Sequence, residues 1–162
     1  MEDYLIQGIK NHMHDMGGFG ACRVIDVKPG YCLAEVEALE EMGNVYMQVH
    51  GGVLMALIDL VSTTAAYAAG KHVITLSSNT NFIKGFAADG KLMRIESNAV
   101  HNGGRTMVVE TTIYNEDGKA CVRNSSTMFV TKKVEATDPI PTAPGQVCQF
   151  LVDEAALKAM EI

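Results

Sequence analysis

One run of sequence narrows the possible folds more than any other. From Val53 to Ala69 the chain is rich in Ala, Leu, Met and Ile, holds no proline, and is bracketed by His50-Gly51-Gly52 and Gly70. Strong helix formers with a closing glycine predict one long helix here. The run has 17 residues but includes Asp59, Ser62, Thr63 and Thr64, short of the roughly 20 clean apolar residues that a bilayer span requires. It is therefore expected to be the buried helix of a soluble protein, with no membrane as partner. Being apolar almost all round, such a helix must be enclosed by other elements.

The flanking sequence supplies the enclosure. Ala21 to Val27 and Tyr31 to Ala38 are β-rich runs around Lys28-Pro29-Gly30, a turn in which Pro presets φ and Gly supplies a positive one. After the helix come four strand-like runs: His72–Phe82, Lys91–His101, Arg105–Tyr114 and Ala120–Val130. They are separated by turn chemistry at Asp89-Gly90, Asn102-Gly103-Gly104 and Asn115-Glu116-Asp117-Gly118. Within the second of these, Met93, Ile95, Ser97 and Ala99 alternate with Leu92, Arg94, Glu96 and Asn98, the period of a half-buried strand. Ahead of the hairpin, Leu5, Ile9, Met13 and Met16 mark an amphipathic helix over Tyr4–Met16, stopped by Gly17-Gly18. Near the other end, Pro139, Pro141 and Pro144 end the sheet, and a short helix is expected over Glu154–Met160. The expected class is α+β, a curled antiparallel sheet wrapping one central helix.

A chain of 162 residues with a formal net charge of −6 is expected to be one domain. Its charge opposes attraction to a phosphate backbone, so no nucleic acid is expected. Cys22, Cys32, Cys121 and Cys148 form no C-x-x-C pair, which argues against a zinc knuckle or a disulfide scaffold and suits a reducing compartment. With no basic and apolar leader at Met1-Glu2-Asp3-Tyr4, a cytoplasmic location is expected. His12, His14 and Asp15 have a metal-like composition, but positions i and i+2 diverge on a helix, and no metal is expected.

Two features carry chemistry. Asp59 sits among Ala56, Leu57, Ile58, Leu60 and Val61. It is either a position facing solvent or a subunit boundary, or a functional carboxylate on a face shared with Met55, Ala56, Ser62, Thr63 and Ala66. His50-Gly51-Gly52 opens the helix where unpaired N–H groups and the positive dipole end converge, although two glycines also suit a tight strand-to-helix turn. Together they supply an oxyanion-binding helix terminus and a carboxylate, the parts needed for acyl hydrolysis. Gly51 and Asp59 are eight residues apart, about 12 Å along a helix at 1.5 Å per residue. They can hardly serve the same reacting carbonyl from a single chain, and if both are catalytic a two-fold dimer is the simplest remedy.

Asn44, His50-Gly51-Gly52 six residues later, Asp59 nine after the histidine, and Ser77 in the following strand resemble the hotdog-fold thioesterases, in particular the PaaI-like acyl-CoA thioesterase branch. The resemblance implies a hotdog domain over residues 21–133, with a helical segment over 1–20 before it and a tail over 134–162. It further implies that the Gly51 N–H and the Asn44 side chain polarise a thioester carbonyl. Asp59 of the other subunit, oriented with Ser77, would activate water or attack directly, and His50 would position the site by hydrogen bonding. Ser78 is adjacent to Ser77, and strand register decides which of them faces the helix. Lys84 and Arg105, the latter beside Gly104, look like the family's loops that contact coenzyme A, though each also suits a solvated turn. The implied protein is a cofactor-free acyl-CoA thioesterase, a homodimer or a dimer of dimers. The alternatives are a non-catalytic acyl-CoA-binding or regulatory module and a hydratase or dehydratase, from which release of free thiol distinguishes it.

Overall fold

The computed structural model describes residues 1–13 and 22–138. Its elements are helix α1 (Asp3–Met13), strands β1 (Arg23–Lys28) and β2 (Tyr31–Glu37), a 3-10 turn at Glu40–Met42, helix α2 (Gly51–Ala68), and strands β3 (Lys71–Phe82), β4 (Leu92–Asn102), β5 (Thr106–Tyr114) and β6 (Ala120–Lys133). The six strands form one sheet in the order β1-β2-β4-β5-β6-β3, antiparallel at every junction. One long helix packed against this sheet is the hotdog fold. The expected stop at Gly17-Gly18, His14 and Asp15, Cys148, and the short helix over Glu154–Met160 lie outside the described residues.

The two helical signals read in sequence have different physical outcomes. Helix α2 sends Leu57, Ile58, Val61 and Ala65 into a core with Met93, Ile95, Ile113 and Val122, all fully buried. At about 1.5 to 3 kcal/mol per large apolar side chain, this burial outweighs any propensity term in fixing the helix. A second, smaller cluster of Ala66, Met107, Val109 and Met128 lies toward its C-terminal end. Helix α1 packs on α2, placing Leu5 and Ile9 in or against the core, with Gly8 against the Tyr67 side chain.

The expectation that α2 is enclosed nearly all round needs correction. Met55 is 43% exposed and Asp59 is exposed, so one stripe of the helix lies open beside the edge strand β3. The helix runs antiparallel to that strand: Gly51 lies against the Phe82 ring, and Asp59 meets Thr75. The stripe is open because the sheet ends at β3, whose outward side has no neighbouring strand among the described residues.

Candidate active site

The site begins at the N-terminus of α2. His50 adopts an extended conformation (φ −62°, ψ 134°) as the N-cap, and its Nδ1 accepts the Gly52 N–H at 3.2 Å. This cap satisfies one of the orphan donors at the helix start and leaves the ring proton on Nε2. The Val53 and Leu54 N–H groups return to the His50 carbonyl, while the Gly51 N–H has no acceptor among the described residues. A side chain at residue 51 would place Cβ 3.3 Å from the Phe82 ring, so glycine permits this close approach of helix and strand.

Asn44 reaches the same place from the preceding loop. Its Oδ1 accepts the N–H of Tyr46 at 2.9 Å and of Gln48 at 3.3 Å, while its backbone N–H and C=O bond Gln48 and Met47. Two N–H donors on one atom identify it as the oxygen and turn the amide's NH2 outward. Met47 takes the left-handed φ of 55° at the loop's tip, a conformation uncommon for a residue with a side chain and held here by these bonds. Asn44 and Gly51 line one groove of about 260 Å³ together with Gln48, Phe82, Lys84 and Gly85. The groove therefore holds a backbone N–H and an amide NH2 that have no partner among the described residues, a pair suited to an oxyanion, with a lysine beyond them.

Asp59 lies outside that groove. Its Oδ1 accepts the Thr75 hydroxyl at 2.7 Å, and its backbone carbonyl accepts the Thr63 and Ser62 hydroxyls at 2.7 and 3.1 Å. No lysine or arginine pairs with the carboxylate among the described residues, leaving it an accessible base on the open stripe.

The residue that orients Asp59 within the protomer is thus Thr75, not Ser77. A register shift between Thr75 and Ser77 inserts Leu76 as an extra residue: Thr75 pairs with the buried Met128, but Ser77 pairs with Thr127. The bulge turns Ser77 away from the helix, and its side chain makes no hydrogen bond among the described residues. Ser78 returns to the inner face, where it accepts from Asn124 at 2.7 Å. Spacing could not reveal this, because Thr75 and Ser77 share a face in any unbulged strand.

Of the remaining candidates, Lys84 lines the Asn44–Gly51 groove. Arg105 and Gly104 lie in the β4–β5 turn, outside that groove, where Lys71 tethers Asn102 and the Gly103 carbonyl. The fold brings Asn44, His50, Gly51 and Lys84 together; within one protomer it keeps Asp59, Arg105 and Gly104 apart from them. Sequence reasoning missed Thr75, Gln48 and Phe82. Among the described residues, no group of His, Cys, Asp and Glu is arranged to hold a metal ion.

Comparison with known proteins bears on this geometry. A family model described as "Thioesterase superfamily" matches residues 48–122. A putative esterase of Archaeoglobus fulgidus is 24% identical over 107 residues, 66% of this chain and 69% of its own. Among solved structures, the chain is similar to smu.793 from Streptococcus mutans bound to acetyl CoA (29% identity, TM-score 0.71, covering 77% of this chain and 100% of that one). It is also similar to a hypothetical thioesterase from Streptococcus pneumoniae with coenzyme A (25%, TM-score 0.75, 78% and 99%). Further structures of that pneumococcal protein carry alanine in place of an aspartate or of a threonine sixteen positions later. The E. coli PaaI protein shares the fold (20%, TM-score 0.65, 68% and 80%).

Proposed function

We propose that the chain is an acyl-CoA thioesterase of the hotdog-fold thioesterase superfamily, whose family model matches residues 48–122, and that its active site is shared between two copies. The observation that carries this reading is the convergence of two free donors, the Gly51 N–H and the Asn44 NH2, on one groove, with an accessible carboxylate two turns away on the same helix. A thioester carbonyl seated on those donors gains a negative oxygen as water adds to its carbon. Asp59 of the partner subunit takes the proton from that water. The tetrahedral intermediate then collapses, the carbon–sulfur bond breaks, and CoA leaves as thiolate beside the free acid. His50 holds the Gly51 N–H in place through its cap on Gly52, and Thr75 aims the carboxylate.

Symmetry supports the pairing. A two-fold axis that brings Asp59 of the partner subunit to Gly51 must pass midway between them on α2, near Met55. On β3 the midpoint of Thr75 and Phe82 falls at Ser78–Asn79. One axis can serve both, since helix and strand run side by side, and it would join β3 to its mate as antiparallel edges. The exposed side chains there, Met55, Leu76 (58%), Phe82 (52%) and Ile83 (58%), are what such an interface would cover. In this arrangement the β3 start and Arg105 of the partner subunit approach Lys84, which gives the CoA phosphates two cationic contacts on an otherwise acidic protein. The binding of coenzyme A or acetyl CoA by two similar proteins favours the same substrate class. Cys22, Cys32 and Cys121 are buried free thiols, which suits a cytoplasmic location.

The test is thiol release across aromatic, short-chain and long-chain acyl-CoAs, combined with subunit exchange. Mixed dimers of Asp59→Ala and Asn44→Ala, each inactive alone, should recover activity because one of their two sites is intact. Acyl-CoA bound but unhydrolysed would favour the binding module. A changed double bond with an intact thioester would favour the hydratase. No recovery after verified exchange would place the whole site in one chain.

A further inference from the structure

Gln48 is not explained by the chemistry at the carbonyl. Its side chain is half-buried and lines the Asn44–Gly51 groove on the side toward Lys84. It rests directly on the backbone of residue 85: a Cβ added to Gly85 would lie 2.5 Å from the Gln48 Oε1. Gly85 does not have a positive φ, so its conformation alone does not demand glycine. A side chain there would displace the amide that lies on top of it.

The hydrogen-bonding capacity of this pair is almost wholly unused. The Gln48 Nε2 has only a 3.5 Å contact with the adjacent Met47 carbonyl, at the limit of a hydrogen bond, and Oε1 receives no donor among the described residues. The Gly85 backbone N–H and C=O also have no partners there. The groove thus offers a primary amide and a free peptide unit side by side, with the oxyanion donors on one side and a lysine on the other. A ligand that fits this order carries a thioester, then an amide, then an anion. The pantetheine arm of coenzyme A has that order, its first amide lying two methylenes beyond the sulfur.

Gln48 is also tied mechanically to the carbonyl site. Its backbone N–H donates to the Asn44 Oδ1, its carbonyl accepts the Asn44 N–H at 2.8 Å, and residue 48 bridges Ala87. The loop that aims the Asn44 NH2 therefore also fixes the base of the Gln48 side chain.

From these observations we infer that the Gln48 carboxamide, seated on Gly85, reads the first amide of the pantetheine arm and sets the thioester at its correct depth in the groove. The inference rests on the thioesterase reading. It makes Gln48 a substrate-binding residue and Gly85 a residue selected to admit it.

The experiment compares an acyl-CoA, the N-acetylcysteamine thioester of the same acid, which keeps the first amide, and its S-propyl thioester, which does not. Gln48→Ala should raise KM about threefold to tenfold for the first two, the loss of one hydrogen bond, and leave KM for the S-propyl thioester unchanged. Gly85→Ala should raise KM similarly in the wild-type background and have little further effect in Gln48→Ala. An equal rise for the S-propyl thioester, or multiplying effects of the two substitutions, would overturn the inference. Calorimetric titration of CoA separates this failure from that of the parent reading. If the wild type hydrolyses no thioester yet binds CoA, the enzyme reading fails, and weaker binding by Gln48→Ala upholds the amide contact while unchanged binding removes it. If the wild type binds no CoA, both readings fall.

Discussion

The two edges of the sheet are built on opposite plans. At one edge, β1 has six residues with a bulge between Val24 and Asp26, and it presents Arg23, Asp26 and Lys28. Its side chains are tied inward: Arg23 donates to Glu35 on β2 at 2.6 Å, and Arg94 on β4 donates to the same carboxylate at 2.9 Å. Short, charged edges resist pairing with another chain. At the other edge, β3 has twelve residues and exposes Ile74 (55%), Leu76 and Phe82. A long apolar edge left that way is either an aggregation hazard or an interface. The catalytic candidates lie at or beside β3, so under the proposed shared site one edge serves stability and the other assembly with function.

The strongest way to break this comparison is to make β3 resemble β1. Leu76→Lys puts a charge into the proposed interface and should convert the oligomer to monomers in sedimentation, with thiol release falling by a factor on the order of 10² or more because each site loses its partner carboxylate. Reversing a charge on the other edge, Asp26→Lys, should leave mass and turnover unchanged. A fully active Leu76→Lys monomer would end the shared-site argument.

Next in size is Asp59→Asn, which keeps shape and the Thr75 contact but removes the base. The expected loss in kcat is on the order of 10² to 10⁴, with the oligomer intact by sedimentation and the unfolding midpoint unchanged. Wild-type turnover by the folded variant would remove the carboxylate from the mechanism.

These two residues also mark what the sequence could and could not convey. Helix α2, the hairpin and the consecutive pairing of β4, β5 and β6 follow from composition, glycine placement and period-2 alternation, all local signals, whereas an antiparallel meander of all four strands after the helix does not form, because β3 pairs with β6 and not with β4. The resemblance at Asn44, His50, Gly51 and Asp59 is likewise local spacing, and the fold brings the first three together. The partner of Asp59 is different in kind. It depends on one extra residue, Leu76, that shifts the pairing of β3 with β6, and such a bulge is decided by packing between distant strands. Gln48 was equally hidden, because its meaning comes from Gly85, which lies 37 residues further along the chain.

The bulge makes a smaller prediction. Thr75→Val keeps shape and removes the hydroxyl held at 2.7 Å from the carboxylate. A hydrogen bond to a charged group is worth about 1.5 to 3 kcal/mol, so kcat should fall roughly tenfold or more, and Thr75→Ser should restore most of it. Ser77→Ala should change kcat by less than about twofold, since that side chain orients nothing in the protomer. The reverse ranking would mean that the serine acts across the interface.

The smallest effect belongs to the quiet edge and concerns pH. Burial by itself raises the pKa of Glu35, but the hydrogen bonds and charges of Arg94 and Arg23 outweigh it and hold the carboxyl below the ordinary glutamate value. A carboxylate whose pKa is lowered by folding stabilises the fold fully above its unfolded pKa and loses that contribution as pH falls through the folded value. Because the Arg23 and Arg94 side chains are 46% and 59% exposed, solvent screening limits the contribution to about 1 kcal/mol. Glu35→Gln should therefore lower the urea midpoint slightly at neutral pH and match the wild type in strong acid, with turnover unaffected throughout. If the two unfolding curves instead ran parallel at every pH, the carboxylate would have no ionic role, and β1 would be held by its backbone ladder and buried Val24 and Val27 alone. If turnover fell with stability, the two edges would be coupled, and the division of labour between them would have to be abandoned.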